Sequence, residues 1–247
     1  MKVTWLGHAT LVIETAGARF ITDPLLRDQF FHIRRYSTSV DAPTAVDTVL
    51  LSHLHHDHLD MGSLKKVAGP VVGPRGTAKT LRRAGRTVSE VKPGDELTVG
   101  DARVTVTRAD HDGRRWHLAK RYDEDTLGFI VESGGVRTYF AGDTELYEGM
   151  RDLRPLDLAL VPIWGWGPRL GPGHMDPKQA ADAVALLAPK TVVPIHWGTF
   201  FPVHMHRSHG HLLAEPAVTF RERCAEVAPD VHVEVIEPGN SVVIPSG

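Results

Sequence analysis

Ser52-His53-Leu54-His55-His56-Asp57-His58-Leu59-Asp60 follows directly on an apolar run at residues 46–51 that reads as a buried strand, so the stretch is a loop leaving a strand end. His53 and His55 stand two apart, and on an extended exit their imidazoles point to one side and can share a metal ion. Asp57 and His58 come after the backbone turns and can face a second ion a few ångströms away, while His56 points away from its neighbours. The loop alone leaves each ion short of ligands.

Three later strand ends can supply the rest. His111 follows a strand at 102–108, Asp143 a strand at 136–140 and His196 a strand at 191–195. Loops at the ends of strands are where α/β folds build ligand sites, because a rigid sheet aims several of them at one point. The metal-ligand set is therefore His53, His55, Asp57, His58, His111, Asp143 and His196. Imidazoles and carboxylates without thiolates suit two divalent ions, zinc first, with manganese or iron(II) also compatible. A pair of ions activates a water near neutral pH and stabilises charge on the attacked or leaving oxygen, which is hydrolase chemistry.

The rest of the chain alternates strands and helices, as an α/β fold requires. Strands are expected at 3–6, 11–14, 19–21, 71–72, 87–91, 97–99, 127–132, 158–161, 233–236 and 242–244, and helices at 61–67, 76–83 and 218–227. Asp176 with Gln179 three residues on and Pro177 at the first helical position marks another helix start, with Ala180, Val184 and Leu187 on one face. Residues 25–45, 109–125, 162–173 and 198–213 read as irregular loops. One domain over 1–247 accommodates this pattern.

Composition narrows the function classes. A formal charge of -2, from 28 basic and 30 acidic side chains, offers no general attraction to nucleic acid or an anionic membrane. Cys224 is the sole cysteine, which excludes a disulfide framework and a thiolate cluster. His8 and Glu14 interrupt the apolar start, and no apolar run approaches the ~18 residues of a membrane span. A cytoplasmic protein acting on a small molecule is expected. The 15 histidines are about three times ordinary usage for such a length, so their placement carries the information.

The motif at 53–58, Asp110-His111, Phe140-Ala141-Gly142-Asp143-Thr144 and Ile195-His196-Trp197-Gly198-Thr199-Phe200 resemble, in order and spacing, the metal motifs of the metallo-β-lactamase superfamily. Trp5-Leu6-Gly7-His8-Ala9-Thr10, Thr22-Asp23-Pro24 and Gly173-His174-Met175-Asp176-Pro177 look most like the N-acyl-phosphatidylethanolamine-hydrolysing phospholipase D group, and next like the L-ascorbate-6-phosphate lactonase group. The resemblance implies a four-layer αββα sandwich with the site at one edge between the sheets. It also implies that His53, His55 and His111 hold one ion, Asp57, His58 and His196 the other, and that Asp143 bridges.

Departures from sister groups narrow the activity. His55 stands where redox di-iron members carry Glu, and Asp143 where many true β-lactamases carry Cys. The interval from Asp143 to His196 is too short for the extra domain of RNA-cleaving members, and the amino-terminal extension of the mammalian-type phospholipase is missing. The expected reaction is hydrolysis of a phosphodiester by a metal-bridging hydroxide that Asp57 orients. A lactone or carboxylic ester on the same site is the alternative, and a metal-dependent sensing protein without turnover the rival from another class.

Around the ligands, His174 could donate a proton to the leaving group. His8 and Asp23 could orient metal-bound imidazoles. Trp164, Trp166 and Phe200, with Trp116 and Phe201, could face an apolar part of the substrate, and Arg34, Arg35, Arg114, Arg115 and Arg121 a phosphate. His204, His206, His209 and His211 form a second dense run, which reads more simply as a solvated loop than as a further metal site.

Overall fold

The computed structural model describes residues 1–115 and 126–246. Among these residues two seven-stranded sheets form the centre. In spatial order the first runs Ser241–Val243, Lys2–Gly7, Thr10–Glu14, Arg19–Thr22, Thr48–Leu50, Val71–Gly73 and Val88–Glu90. The second runs His232–Val233, Thr191–Ile195, Leu158–Pro162, Val136–Phe140, Leu127–Ser133, Ala102–Arg108 and Glu96–Val99. Each is antiparallel on one side and parallel on the other.

Alternation along the strands explains the layering. Val3, Trp5, Leu11, Ile13 and Phe20 enter one core with Val104, Val106, Phe129 and Val131 of the second sheet. Val12, Ile21, Val49, Leu51 and Val71 point the other way, onto Leu64 and Leu81 of the helical segments at Met61–Leu64 and Thr77–Leu81 and onto Val67 between them. On the far side, Pro177–Leu187 packs on Leu158–Pro162 and on Glu215–Val227. The result is the expected αββα sandwich. Asp176 caps Pro177–Leu187 with the full reciprocal capping box, and Val184 and Leu187 are completely buried. Gly134 and Gly135 turn the Leu127–Ser133/Val136–Phe140 hairpin in two residues, both with positive φ, which glycine adopts without strain.

Several element boundaries differ from expectation. Residues 25–45 contain a small hairpin, Gln29–Phe30 and Ile33–Arg35, which pairs with Phe200–Pro202 to form a third sheet. Burial of Leu25, Phe30, Ile33 and Phe200 against one another drives this pairing, and strands of two or three residues carry no readable period. Residues 198–213, expected as loop, form that strand and then three single turns, Val203–Met205, His206–His209 and Gly210–Leu213. The strand expected at 233–236 shrinks to His232–Val233, and Ile236 is buried in the main core off the sheet. Strand 46–51 shortens to Thr48–Leu50, and helix 61–67 to Met61–Leu64. Among the described residues no helix is long and apolar enough to cross a membrane.

Candidate metal centre

The loops leaving the strands of both sheets meet at one edge of the sandwich. Backbone conformation there is unusual: His8, Asp23 and His196 all have positive φ, at 55°, 34° and 61°. Non-glycine residues seldom adopt this region, and such strain persists where surrounding contacts over-determine it. Those contacts are present. The His8 amide donates to Thr199 Oγ1 at 2.8 Å, its carbonyl accepts from His196 N at 3.0 Å and from Trp5 Nε1 at 2.9 Å, and Asp23 accepts from Ser52 N at 2.7 Å.

Four imidazoles are held from behind by oxygen acceptors. His58 Nδ1 lies 2.8 Å from Asp23 Oδ2, His111 Nδ1 2.7 Å from the Gly173 carbonyl and His196 Nδ1 2.9 Å from the Trp164 carbonyl. His53 Nδ1 is 2.9 Å from Ser52 Oγ, whose own proton goes to Asp23 Oδ2. A carbonyl or carboxylate can only accept, so each Nδ1 carries the proton. In the neutral ring each Nε2 then presents a bare lone pair, and all four face inward.

These lone pairs crowd one another. His58 Nε2 and His196 Nε2 are 3.2 Å apart, and His111 Nε2 is 3.2 Å from His55 Nδ1. Ligand atoms around a tetrahedral ion with bonds of 2.0–2.1 Å sit about 3.4 Å from each other, so the spacing is that of a cation's coordination shell. His53 Nε2 and both Asp143 oxygens are buried without a hydrogen-bond partner. Yet Asp143 Oδ2 is 3.0 Å from His58 Nε2 and Oδ1 is 3.3 Å from His196 Nε2, close but not aligned for hydrogen bonding. A buried carboxylate left unpartnered among imidazole lone pairs calls for a cation, and these residues fit one.

Among the described residues four groups could hold an ion, and two of them, without a residue in common, lie side by side: His53, His55 and His111, and next to them Asp57, His58 and His196 together with His8. Asp143 stands between, reaching His53, His58, His174 and His196. Burial and the neighbouring imidazoles keep His53 well below the usual histidine range, and His196 is pushed the same way by burial. Burial pushes His111 down to about 4. Burial opposes charge on Asp57 and Asp143 too, but His58 and His8 beside one and His196 and His58 beside the other hold both carboxyls well below the carboxylate range. Against the burial penalty, Asp143 and Asp57 draw a proton onto His58 and raise it well above its ordinary value. An ion and that proton compete for the same negative field.

Comparison with known proteins identifies the family. The beta-lactamase superfamily domain model (Lactamase_B_2) matches residues 18–197. The chain belongs to the metallo-β-lactamase superfamily. A "UPF0173 metal-dependent hydrolase" of Nitratidesulfovibrio vulgaris is 32% identical over 255 residues, covering 98% of this chain and 95% of that protein, which places the chain in that family of metal-dependent hydrolases. The N-acyl-phosphatidylethanolamine-hydrolyzing phospholipase D 1 of Caenorhabditis elegans is 31% identical over 228 residues, 80% of this chain and 64% of that protein. Among solved structures, Igni18, a metallo hydrolase from Ignicoccus hospitalis, superposes with a TM-score of 0.72 at 23% identity, covering 98% of this chain and 97% of that one.

Other expected site residues of this superfamily member fall in different places. His174 Nε2 lies 3.2 Å from Asp143 Oδ2 at the partly exposed mouth, and that carboxylate, outweighing burial, raises the His174 pKa. Asp23 sits behind His58, and His8 Nε2 is 3.1 Å from Asp57 Oδ2. Trp164 contributes its carbonyl, while its indole N–H donates to Gly167 O, away from the ligands. Phe200 is not a substrate wall: it is buried beneath His8 and Phe30. Phe201 is buried as well.

The arginines are accounted for differently from expectation. Arg35 is buried, donating to the carbonyls of Leu6 and Leu25, and Arg115 ties the motif loop through Leu54 O, Leu59 O and His56 Nδ1. Arg114 pairs with Asp112, and Arg34 is exposed. Trp116 and Arg121 lie outside the described residues.

Sequence reasoning missed Ser52, Gly173 and Glu145. Glu145 Oε1 accepts from Gly173 N at 2.7 Å and so fixes the carbonyl that holds His111. A side chain at Gly173, whose φ is 83°, would begin 2.3 Å from His111 Nδ1. The only sequence signal for Gly173 is its place directly before His174 in a motif-like run.

Proposed function

We propose that the chain is a dinuclear hydrolase of phosphodiesters, with zinc as the metal, held by His53, His55 and His111 on one side and Asp57, His58 and His196 on the other, with Asp143 between them. The observation that carries this reading is the set of inward lone pairs and unpartnered Asp143 oxygens, arranged as two adjoining groups. When bound, the ions supply an activated water near neutral pH and a positive field for the charge that develops on the attacked group. The protein does the rest. Asp23, Ser52, Gly173 O and Trp164 O hold the imidazoles in one tautomer, so no reorganisation is needed as charge builds.

Asp57 Oδ2, fixed by two donors, is placed to orient the nucleophile. His174, with its Nδ1 on Pro172 O at 3.1 Å and its raised pKa, can hold a proton on Nε2 at the mouth and deliver it to the departing oxygen. The likeness to the worm phospholipase D favours phosphorus over a carbonyl carbon as the attacked atom. Parallel assays with bis(p-nitrophenyl) phosphate and a lactone panel test this. Turnover of the phosphodiester that disappears in His174→Gln more than in exposed controls supports it, whereas turnover confined to lactones transfers the same site to the carboxylic-ester reading.

A further inference from the structure

We propose that Trp166 is a positioning residue for Asp57, acting through its indole N–H, and this rests on the reading of Asp57 as a metal ligand. Trp166 Nε1 donates to Asp57 Oδ2 at 3.0 Å, and His8 Nε2 reaches the same oxygen at 3.1 Å. That oxygen is also the one nearest the rest of its group, 3.7 Å from His58 Nε2 and 3.9 Å from His196 Nε2. Two donors on a single oxygen fix the carboxylate's rotation and withdraw charge from it, which tunes the one anionic ligand peculiar to this group. Among the described residues the Trp166 N–H bonds Asp57 and its ring meets Phe30 and His32, while His53, His55 and His111 bond other partners, so its effect falls on one of the two groups.

The indole is itself held in place. Its ring meets the edge of Phe30 at 6.4 Å and 87° and of His32 at 6.4 Å and 81°, both on the Gln29–Phe30/Ile33–Arg35 hairpin. Trp166 packs with the Leu25, Phe30, Ile33 and Phe200 cluster, so the third sheet serves as the backing for a ligand carboxylate. Trp164, two residues earlier, sends its N–H to Gly167 O instead.

Cobalt(II) titration of the metal-free full chain, followed by chelator competition and by the visible d–d spectrum, tests the assignment. Trp166→Phe keeps an aromatic ring against Phe30 but loses the donor. Trp166→Gln loses the ring but places an amide N–H the same number of bonds from the backbone. The expected result is a loss of about tenfold in one binding step for Trp166→Phe, with an altered spectrum for that step and the other step unchanged. Trp166→Gln should stay close to wild type. Wild-type affinity and spectrum in Trp166→Phe, an equal loss in both steps, or a worse loss in Trp166→Gln than in Trp166→Phe would each overturn the proposal. If Asp57→Ala binds as many ions as wild type, the ligand reading of Asp57 fails instead.

Discussion

The chain has two histidine-rich stretches, and they behave in opposite ways. At 53–58 the imidazoles are buried or half-buried, and His53 and His58 have their outer nitrogens pinned and their inner ones facing the Asp143 carboxylate. At 204–211 the rings stay at the surface and meet local partners: His206 stacks on Tyr36 at 4.0 Å, His209 bonds Ser208 Oγ at 2.8 Å and His211 lies 3.6 Å from Glu215. None of these four belongs to a group able to hold an ion among the described residues. Density of histidine is therefore not the signal for a metal site. What separates the stretches is a fixed acceptor behind the rings of His53 and His58 and the Asp143 carboxylate in front.

Substitutions that strike this difference should rank accordingly. Asp143→Ala removes the carboxylate that stands between the two groups and should lower hydrolysis to about a thousandth or less, with loss of bound metal read by elemental analysis. Asp23→Ala leaves every ligand in place but frees His58 Nδ1, and should weaken metal binding by roughly 10–100-fold in chelator competition.

Acid should destabilise the metal-free protein through the buried imidazoles of the centre. Below pH ~6.5 the unfolded chain protonates His111 while the folded chain does not until about 4, so the contribution of His111 to stability falls across that window and is flat above it. That one ring contributes about 3 kcal/mol of loss, measurable by denaturant titration at a series of pH values, with His53 and His196 adding to it, whereas the stabilisation from His58, raised above its ordinary value, is fully present below pH ~6.5 and is lost as the pH rises above it. At the bottom of the scale, His206→Ala and His209→Ala should change stability by no more than ~0.5 kcal/mol and leave metal content unaltered. A loss of metal in either variant would erase the contrast between the stretches.

The same contrast explains what could be read from the chain. Strands with long apolar runs, the capped helix at Asp176 and the polar residues at strand ends were legible, because period and capping are local in sequence. The convergence of His53, His111, Asp143 and His196 was legible for the same reason, as each follows a strand end within three residues. The third sheet was not, since its short strands exist only through burial of Phe30 and Phe200 on each other. Nor were the groups behind the imidazoles, since two of them are the main-chain carbonyls of Gly173 and Trp164, which carry no mark in residue identity. Arg35 and Phe200 were misplaced toward the substrate because a loop position does not disclose burial.

Metal content after reconstitution and desalting bears most directly on the central claim. The account predicts about two transition-metal ions per wild-type chain and a clear fall when His53 and His58 are both changed to alanine. A wild-type chain that retains no ion, or a doubly changed chain that retains as many as the wild type, would contradict it.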